Sequence, residues 1–533
     1  MADARIEEQA VPAADQKASG YSWYVLSVLV IVYFLNFIDR QIVSILVVDI
    51  KTDLGLSNSQ MGFLGGAAFA VFYALFGIPL GRLADNWGRV KLLATGLALW
   101  SGMTALSGFA RNGLTLGLAR MGVGIGEATA SPSAYSLISD YFPKRQRATA
   151  LAIYSSGLYL GGGISLFIGA YIKDAWNTTW PGGGPMGLVG WQAAFLAVGI
   201  PGLLVALWVA TLREPKRGVM DGLSGAVSPT PFRDFGRDLA LIIPPFTLLG
   251  AARRGAAALL INIAAAGALA LFALGMIALT GNVPQWSAVA LGFYAVFSWA
   301  SALRASDPAT FRLIWGTPAF LHTAIGYGLI ALTSYGLSYW TAPYAEEVLG
   351  LPNQELAFYI GGGGAVGGFL GVILGGRLAD HLRARHPAGR LLVVMLGVVG
   401  PIVPVWIAFT TASGLLFYVM SFLATTFTST ALGAAAATTQ DLVLPRMRGT
   451  ATAAFFLATT LIGLSFGPYL IGQISELAGT MHDGKLVPDL RVGILAMIGI
   501  APIALFLLWQ AWRTVPAAEA SLVERARAAG EPE

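Results

Sequence analysis

The sequence predicts an all-α polytopic membrane protein: two six-helix bundles with an extra helical hairpin between them. Three observations carry that prediction. Of its 533 residues, 56% are hydrophobic and only 11% charged, whereas a soluble domain carries about 25% charged residues. The same composition gives a mean hydropathy of +0.68. Apolar runs of the length that crosses a bilayer, about 20 helical residues, recur along the whole chain. Finally, the string GRLAD closes one such run at 81–85 and another at 376–380.

Six runs lie near 22–49, 58–81, 90–110, 113–140, 147–172 and 190–212. A second six lie near 317–345, 355–378, 390–411, 413–440, 450–477 and 492–513. Between the sets, 213–254 is mixed and carries Arg213, Lys216, Arg217, Arg233, Arg237, Arg253 and Arg254. Then 255–279 is apolar without interruption, and about 283–303 is apolar again. An inserted transmembrane hairpin, making fourteen spans, is the simplest reading; an interfacial or cytoplasmic amphipathic pair is the alternative. The expected divisions are a tail at 1–20, a first bundle at 21–213, a linker with its hairpin at 214–312, a second bundle at 313–514 and a tail at 515–533. Both tails are polar and mixed in charge. They read as disordered, the second with a frayed helix at most.

Lysine and arginine set the orientation. Arg82, Arg89 and Lys91 follow the second run, and Lys144, Arg145 and Arg147 follow the fourth. Arg377, Arg383, Arg385 and Arg390, then Arg446 and Arg448, fill the corresponding later loops. The opposite loops are nearly bare of basic residues. Both termini are therefore expected in the cytoplasm, and the protein in the cell membrane, the inner one in a Gram-negative cell. A net charge of +5 makes no case for nucleic acid. With no cysteine, disulfides, iron–sulfur clusters, thiolate zinc sites and a cysteine nucleophile are excluded. No metal or cofactor is expected. The expected partners are bilayer lipids, protons and a small amphiphilic substrate, with the chain acting as a monomer.

The repeat extends beyond GRLAD. PKRQRATA (143–150) follows the fourth run, and PRMRGTATA (445–453) follows its later counterpart at a similar offset. Duplicated six-helix halves in parallel suit a transporter with a pseudo-two-fold axis along the membrane normal, its substrate bound near the midplane between the halves. The string GRLADNWGRVK (81–91) resembles the cytoplasmic loop signature of the major facilitator superfamily. Together, NFIDRQIVSIL (36–46), RMGVGIGEATASPSAYSLISDYFP (120–143) and REPKRG (213–218) resemble the Spinster branch over almost the whole chain except about 235–312. Organic-anion symporters carry similar strings in the first and fourth helices.

In the loop, Asp85 and Arg89 stand four apart and can pair as a latch on the cytoplasmic side, Asp85 also being able to meet a neighbouring helix N-terminus, with Gly81 and Gly88 for close approach and tight turning; an ordinary positive-inside loop is the alternative. Asp380 is the later counterpart of Asp85. Intramembrane charges are costly and usually functional. Asp39, Arg40, Arg120 and Glu127 all fall inside apolar runs, and the depths of Asp39 and Arg120 overlap, so these two are expected to pair. Glu127 lies two turns beyond Arg120 on the same face, roughly 10 Å deeper. The resemblance implies that Asp39 and Glu127 carry protons, with Arg120 competing for them; a static ion-pair network is the alternative. The candidate substrate contacts are Arg40, Ser131, Tyr327, Tyr335, Tyr339 and Thr428. GVGIGEA (122–128) lacks a preceding strand and a P-loop lysine, so it reads as small-residue helix packing rather than a nucleotide loop. The later half is nearly free of buried charge and offers hydroxyls and aromatics. This asymmetry favours proton-coupled transport of an amphiphile by alternating access. The Spinster resemblance implies a lysolipid or sphingoid molecule, with export as the direction; symport of small organic anions such as sugar acids is the rival. No nucleophile constellation or sensor domain supports an enzyme or receptor.

Overall fold

The computed structural model describes residues 18–218, 220, 228–483 and 485–531. Most of the N-terminal tail at 1–20 lies outside them.

Every apolar run becomes helix. Spans 1 to 3 are Gly20–Leu54, Asn58–Asn86 and Arg89–Ser107; spans 5 and 6 are Arg145–Thr179 and Gly190–Ala210. Span 4 is interrupted, with Gly113–Glu127 and Ala130–Tyr141 meeting at Ala128 and Thr129. The hairpin forms spans 7 and 8, Ala256–Thr280 and Val283–Ser306, both long and apolar enough to cross a membrane. Span 9, Pro318–Glu347, follows the short helix Pro308–Trp315 at a bend of 57°. Spans 10 to 14 are Asn353–Arg383, Gly389–Thr410, Gly414–Asp441, Pro445–Leu477 and Leu490–Ala520. Counting the broken fourth span as one crossing gives fourteen, which puts Gly20 and Ala520 at the same end of the helix bundle. We call it the terminal side, and its opposite the far side.

Local chemistry sets the span ends. Ser19 caps span 1 by accepting from the Ser22 amide, and Gly55 closes it with φ of 63°, a left-handed conformation that favours glycine. Ser57 and Gln60 form a reciprocal capping box at the start of span 2. On the far side, Thr480–His482 and Lys485–Val487 pair as a short antiparallel hairpin between spans 13 and 14.

Lipid supplies no hydrophobic drive between helices, so close packing of small residues must hold them. Gly161 of span 5 lies against span 1: a Cβ there would meet the Phe34 carbonyl at 2.4 Å. At Gly124 and Gly126 a Cβ would meet the Phe69 carbonyl at 2.5 Å and the Trp100 amide at 2.7 Å. The GVGIGEA segment is thus a three-helix contact. In the second bundle, Gly371 and Gly375 abut the Thr426 and Thr430 backbone of span 12 in the same way.

The C-terminal expectation needs correction. Instead of a disordered tail, span 14 runs to Ala520 and the helix Leu522–Ala528 follows it. Both dock on the second bundle because their charges find partners there. Glu519 pairs with Arg383, Glu531 with Arg446, and Arg525 donates to the Thr317 hydroxyl at 2.7 Å. Val515, Ala526 and Ala529 are buried beneath.

Gly161→Val is expected to overpack the contact between spans 1 and 5 and cost about 1–3 kcal/mol. Gly162→Ala should be neutral, since its nearest neighbour, Gln41, is 4.0 Å away. Thermal unfolding midpoints of the two variants in detergent check the contrast.

Candidate functional site

One turn of span 1 organises the interior of the first bundle. Asn36 and Asp39 are each 1% exposed, as is Glu127; Arg120 is 2% exposed. Arg40 Nε donates to Glu127 Oε2 at 2.6 Å. The Arg40 guanidinium also stands over three rings, with its carbon 5.0 Å from the Phe37 centroid, 4.8 Å from Phe69 and 4.7 Å from Tyr73. A partly desolvated cation over aromatic faces is favourable by about 1 kcal/mol. Arg40 is therefore fixed both by charge and by ring faces.

The expected Asp39–Arg120 ion pair does not form. Arg120 Nη1 donates to the Asp39 backbone carbonyl at 3.0 Å. The Asp39 carboxyl faces Trp100 and Thr104 of span 3, and its Oδ1 has no hydrogen-bond partner among the described residues. The geometric reason is rotation. Adjacent helical residues point about 100° apart, and it is Arg40, not Asp39, whose side chain is directed at the carboxylate end of Glu127. Glu127 is also the last residue of the first piece of span 4, so the helix break lies directly beside the pair.

A cavity of about 280 Å³ opens between the bundles beside this turn. Phe37 and Gln41 of span 1 line it, with Leu158, Gly162 and Leu166 of span 5. The second bundle contributes Tyr327, Tyr335 and Ser338 of span 9, Tyr359 of span 10, and Thr425 and Thr428 of span 12. Three of the expected contacts, Tyr327, Tyr335 and Thr428, therefore face it. Tyr339 does not. Its hydroxyl donates to the Met61 carbonyl at 2.8 Å, and its ring fills the space a Cβ on Gly65 would need. It is a strut between bundles rather than a cavity wall. Ser131 lies in the first bundle near Tyr154, away from the cavity lining. Arg40 is not itself a lining residue, but its guanidinium stands over the ring of Phe37, which is.

Bonds between the bundles gather at the far side. Asn58 Nδ2 donates to the Ser475 hydroxyl at 3.0 Å, the Ser59 amide to Glu476 at 2.6 Å, and Lys51 pairs with Glu347. Within the cavity, Gln41 Nε2 donates to the Ser338 hydroxyl at 3.0 Å.

The loop latch also differs from expectation. The helix carrying Asp85 stops at Asn86, and Arg89 begins the next one, so their spacing of four does not place them on one face. Arg89, fully buried, instead pairs with Asp140 of span 4 and with Glu214 at 2.8 Å. It also donates to the Ser136 hydroxyl at 3.0 Å and the Pro215 carbonyl at 2.8 Å. Arg217 donates to the Ala84 and Trp87 carbonyls at 2.7 and 2.6 Å. The REPKRG segment thus plugs the terminal end of the first bundle. Desolvation, with the Arg89 charge nearby, lowers the Arg217 pKa from its usual range. Asp85 is exposed, and Asp380 reaches no nearer than 3.8 Å to Arg390. Gly81 has open space around it, its nearest neighbour being Pro132 at 3.9 Å, and Gly88 has a negative φ that other residues adopt. Neither glycine is required here for close approach.

A family model described as Major Facilitator Superfamily matches residues 29–306 and 300–468. The chain belongs to the major facilitator superfamily. Among solved structures it is similar to a bacterial homologue of the human lysosomal transporter Spinster in an inward-facing, unoccupied conformation. The TM-score is 0.66 with 26% identity, covering 95% of this chain and 98% of the other. An MFS-type efflux pump of Mycolicibacterium smegmatis is 26% identical over 463 residues, 87% of this chain and 86% of that one. A probable galactarate/D-glucarate transporter, GarP of Escherichia coli, is 30% identical over 210 residues, 38% of this chain and 44% of that one. The buried Arg89 network and the cavity between bundles are thus features of a facilitator transporter that is Spinster-like over almost its whole length.

Arg89→Ala is expected to leave Asp140 buried without a cation, costing about 3–5 kcal/mol. Asp85→Asn should change stability by no more than about 0.5 kcal/mol. Denaturant titration of the two purified variants separates them; equal losses would restore the Asp85–Arg89 latch.

Proposed function

We propose that this facilitator is a proton-coupled transporter of a single-chain amphiphile, with its terminal side in the cytoplasm. The observation that carries the reading is the division of polarity around the cavity. Behind one wall stand a guanidinium–carboxylate pair whose carboxylate is fully buried and a second carboxyl with an oxygen unpartnered among the described residues. The other wall is made of ring faces and hydroxyls. A polar head drawn to Arg40 and an apolar body against Tyr327, Tyr335 and Tyr359 suit that division. Protons would enter the cycle at Glu127 and Asp39. Protonating Glu127 removes the charge that holds Arg40, which frees the guanidinium for an anionic head; Arg120 stays bonded to the Asp39 carbonyl. Basic residues concentrated in the terminal-side loops support the orientation, and similarity to an efflux pump supports export as the direction.

Symport of a small organic anion is the second reading. It is favoured by the same two arginines and by the similarity to a sugar-acid transporter over part of the chain.

The test is transport in proteoliposomes under an imposed pH gradient, comparing labelled lysophospholipid with labelled glucarate. The expected result is gradient-dependent lysophospholipid movement, reduced at least tenfold in Glu127→Gln and in Arg40→Gln. Gradient-driven glucarate uptake without lysophospholipid movement would select the second reading. Movement that ignores both the gradient and the Glu127 variant would remove proton coupling.

A further inference from the structure

At the far end, charged residues that the transport reading does not use join the two bundles. Lys51, in the last turn of span 1, pairs with Glu347 at the end of span 9. Lys173 of span 5 is only 3% exposed. It lies 2.8 Å from Asp49 of span 1 and 3.5 Å from Glu346, the neighbour of Glu347. Asp174 and Asp49 are the other acidic groups facing Lys173. Asp53 nearby is taken by the Trp191 indole, 2.9 Å away.

Separating a buried ion pair normally strands a charge, and that is strongly destabilising. The arrangement here avoids it. Lys173 has Asp49 on its own bundle. Glu346 accepts from Asn353 Nδ2 at 3.2 Å, also on its own bundle. Lys51 donates to Asn58 Oδ1 at 3.2 Å, again on its own bundle. Glu347 is 27% exposed and can rehydrate. Each of these four charged residues therefore has a second partner that would travel with it, or water. A cluster that only had to hold would not need these duplicates.

We propose that Lys51, Lys173, Glu346 and Glu347 form a reversible clasp that shuts the far side, and that Asp49 makes it releasable by taking over Lys173 when the bundles part. Asp49 and Glu346 touch the same ammonium but act in opposite directions. Neutralising Glu346 removes the attraction across the seam and favours the far-open state. Neutralising Asp49 removes the carboxylate that Lys173 donates to on its own bundle, leaving Asp174 there only as a nearby charge, and favours the far-closed state. A purely structural cluster would respond in one direction to both.

The inference rests on alternating access but not on any substrate, so its test needs none. Because the chain has no cysteine, Ser421→Cys, in the cavity lining, gives a single reporter thiol. A membrane-impermeant maleimide is applied to each face of reconstituted vesicles, with Asp483→Cys in the exposed far-side hairpin turn marking the far face. Glu346→Gln is expected to raise far-face labelling of the cavity thiol on the order of tenfold, the change that loss of one charge-assisted bond produces. Asp49→Asn should lower it by a similar factor, and Asp49→Glu should leave it near the parent level. Should Asp49→Asn fail to fold, the Glu346→Gln rise and the Asp49→Glu level still decide. Changes of the same sign in Glu346→Gln and Asp49→Asn, or no rise in Glu346→Gln, overturn the clasp.

Discussion

A charge removed from water must be met by another charge, by ring faces or by backbone carbonyls, and this constraint organises the first bundle. Arg40 takes most of its compensation inside the protein: the Glu127 carboxylate at 2.6 Å and three aromatic faces within about 5 Å. Arg120 takes a backbone carbonyl. These demands place spans 1, 2 and 4 against each other at a defined height. The glycines of span 4 let the Phe69 and Trp100 backbones of spans 2 and 3 approach that helix closely. Charge and small-residue packing meet in span 4: Glu127 faces Arg40 of span 1, while Gly124 and Gly126 beside it seat the same helix on spans 2 and 3.

The same constraint explains the two ends of the bundle. On the terminal side Arg89 is fully buried and accordingly has five acceptor groups around it, two of them carboxylates, drawn from span 4 and from the segment after span 6. On the far side Lys51, Lys173 and Glu346 each keep a partner on their own bundle besides the one across the seam. A permanent plug and a separable contact use the same chemistry and differ in where the second partner is anchored.

How much of this could be read in the chain depends on distance along it. The spans, the inserted hairpin and the duplicated halves were legible because apolar length and GRLAD are local signals. That Asp39, Arg40, Arg120 and Glu127 matter was legible because each interrupts an apolar run. Their pairing was not: it depends on the relative rotation of spans 1 and 4, which depth alone leaves open by the roughly 100° that separates Asp39 from Arg40. The Asp85–Arg89 expectation failed for a related reason, since a spacing of four implies one face only within a continuous helix, and the helix ends at Asn86. Lys173 carried no signal in the sequence, because a lysine at a helix end looks like ordinary snorkelling and its partners lie on spans 1 and 9. In the C-terminal tail, alternating charge looked like solvation, and only the loops of the second bundle turn it into a docked helix.

The inserted hairpin adds a different kind of demand. Span 7 has 25 residues, a length of about 37 Å at 1.5 Å per residue, against a hydrocarbon thickness of about 30 Å. Its side chains are exposed or half-buried except at Asn262 and Ala273, and span 8 is its main neighbour. A helix too long for its solvent tilts or thickens the bilayer around it, at fractions of a kcal/mol per ångström of mismatch. Span 8 carries that adjustment inward, because it touches Val71 and Leu461 through Gly292, one residue from each bundle. The thickness of the surrounding lipid is thereby in mechanical contact with the seam along which the two halves move.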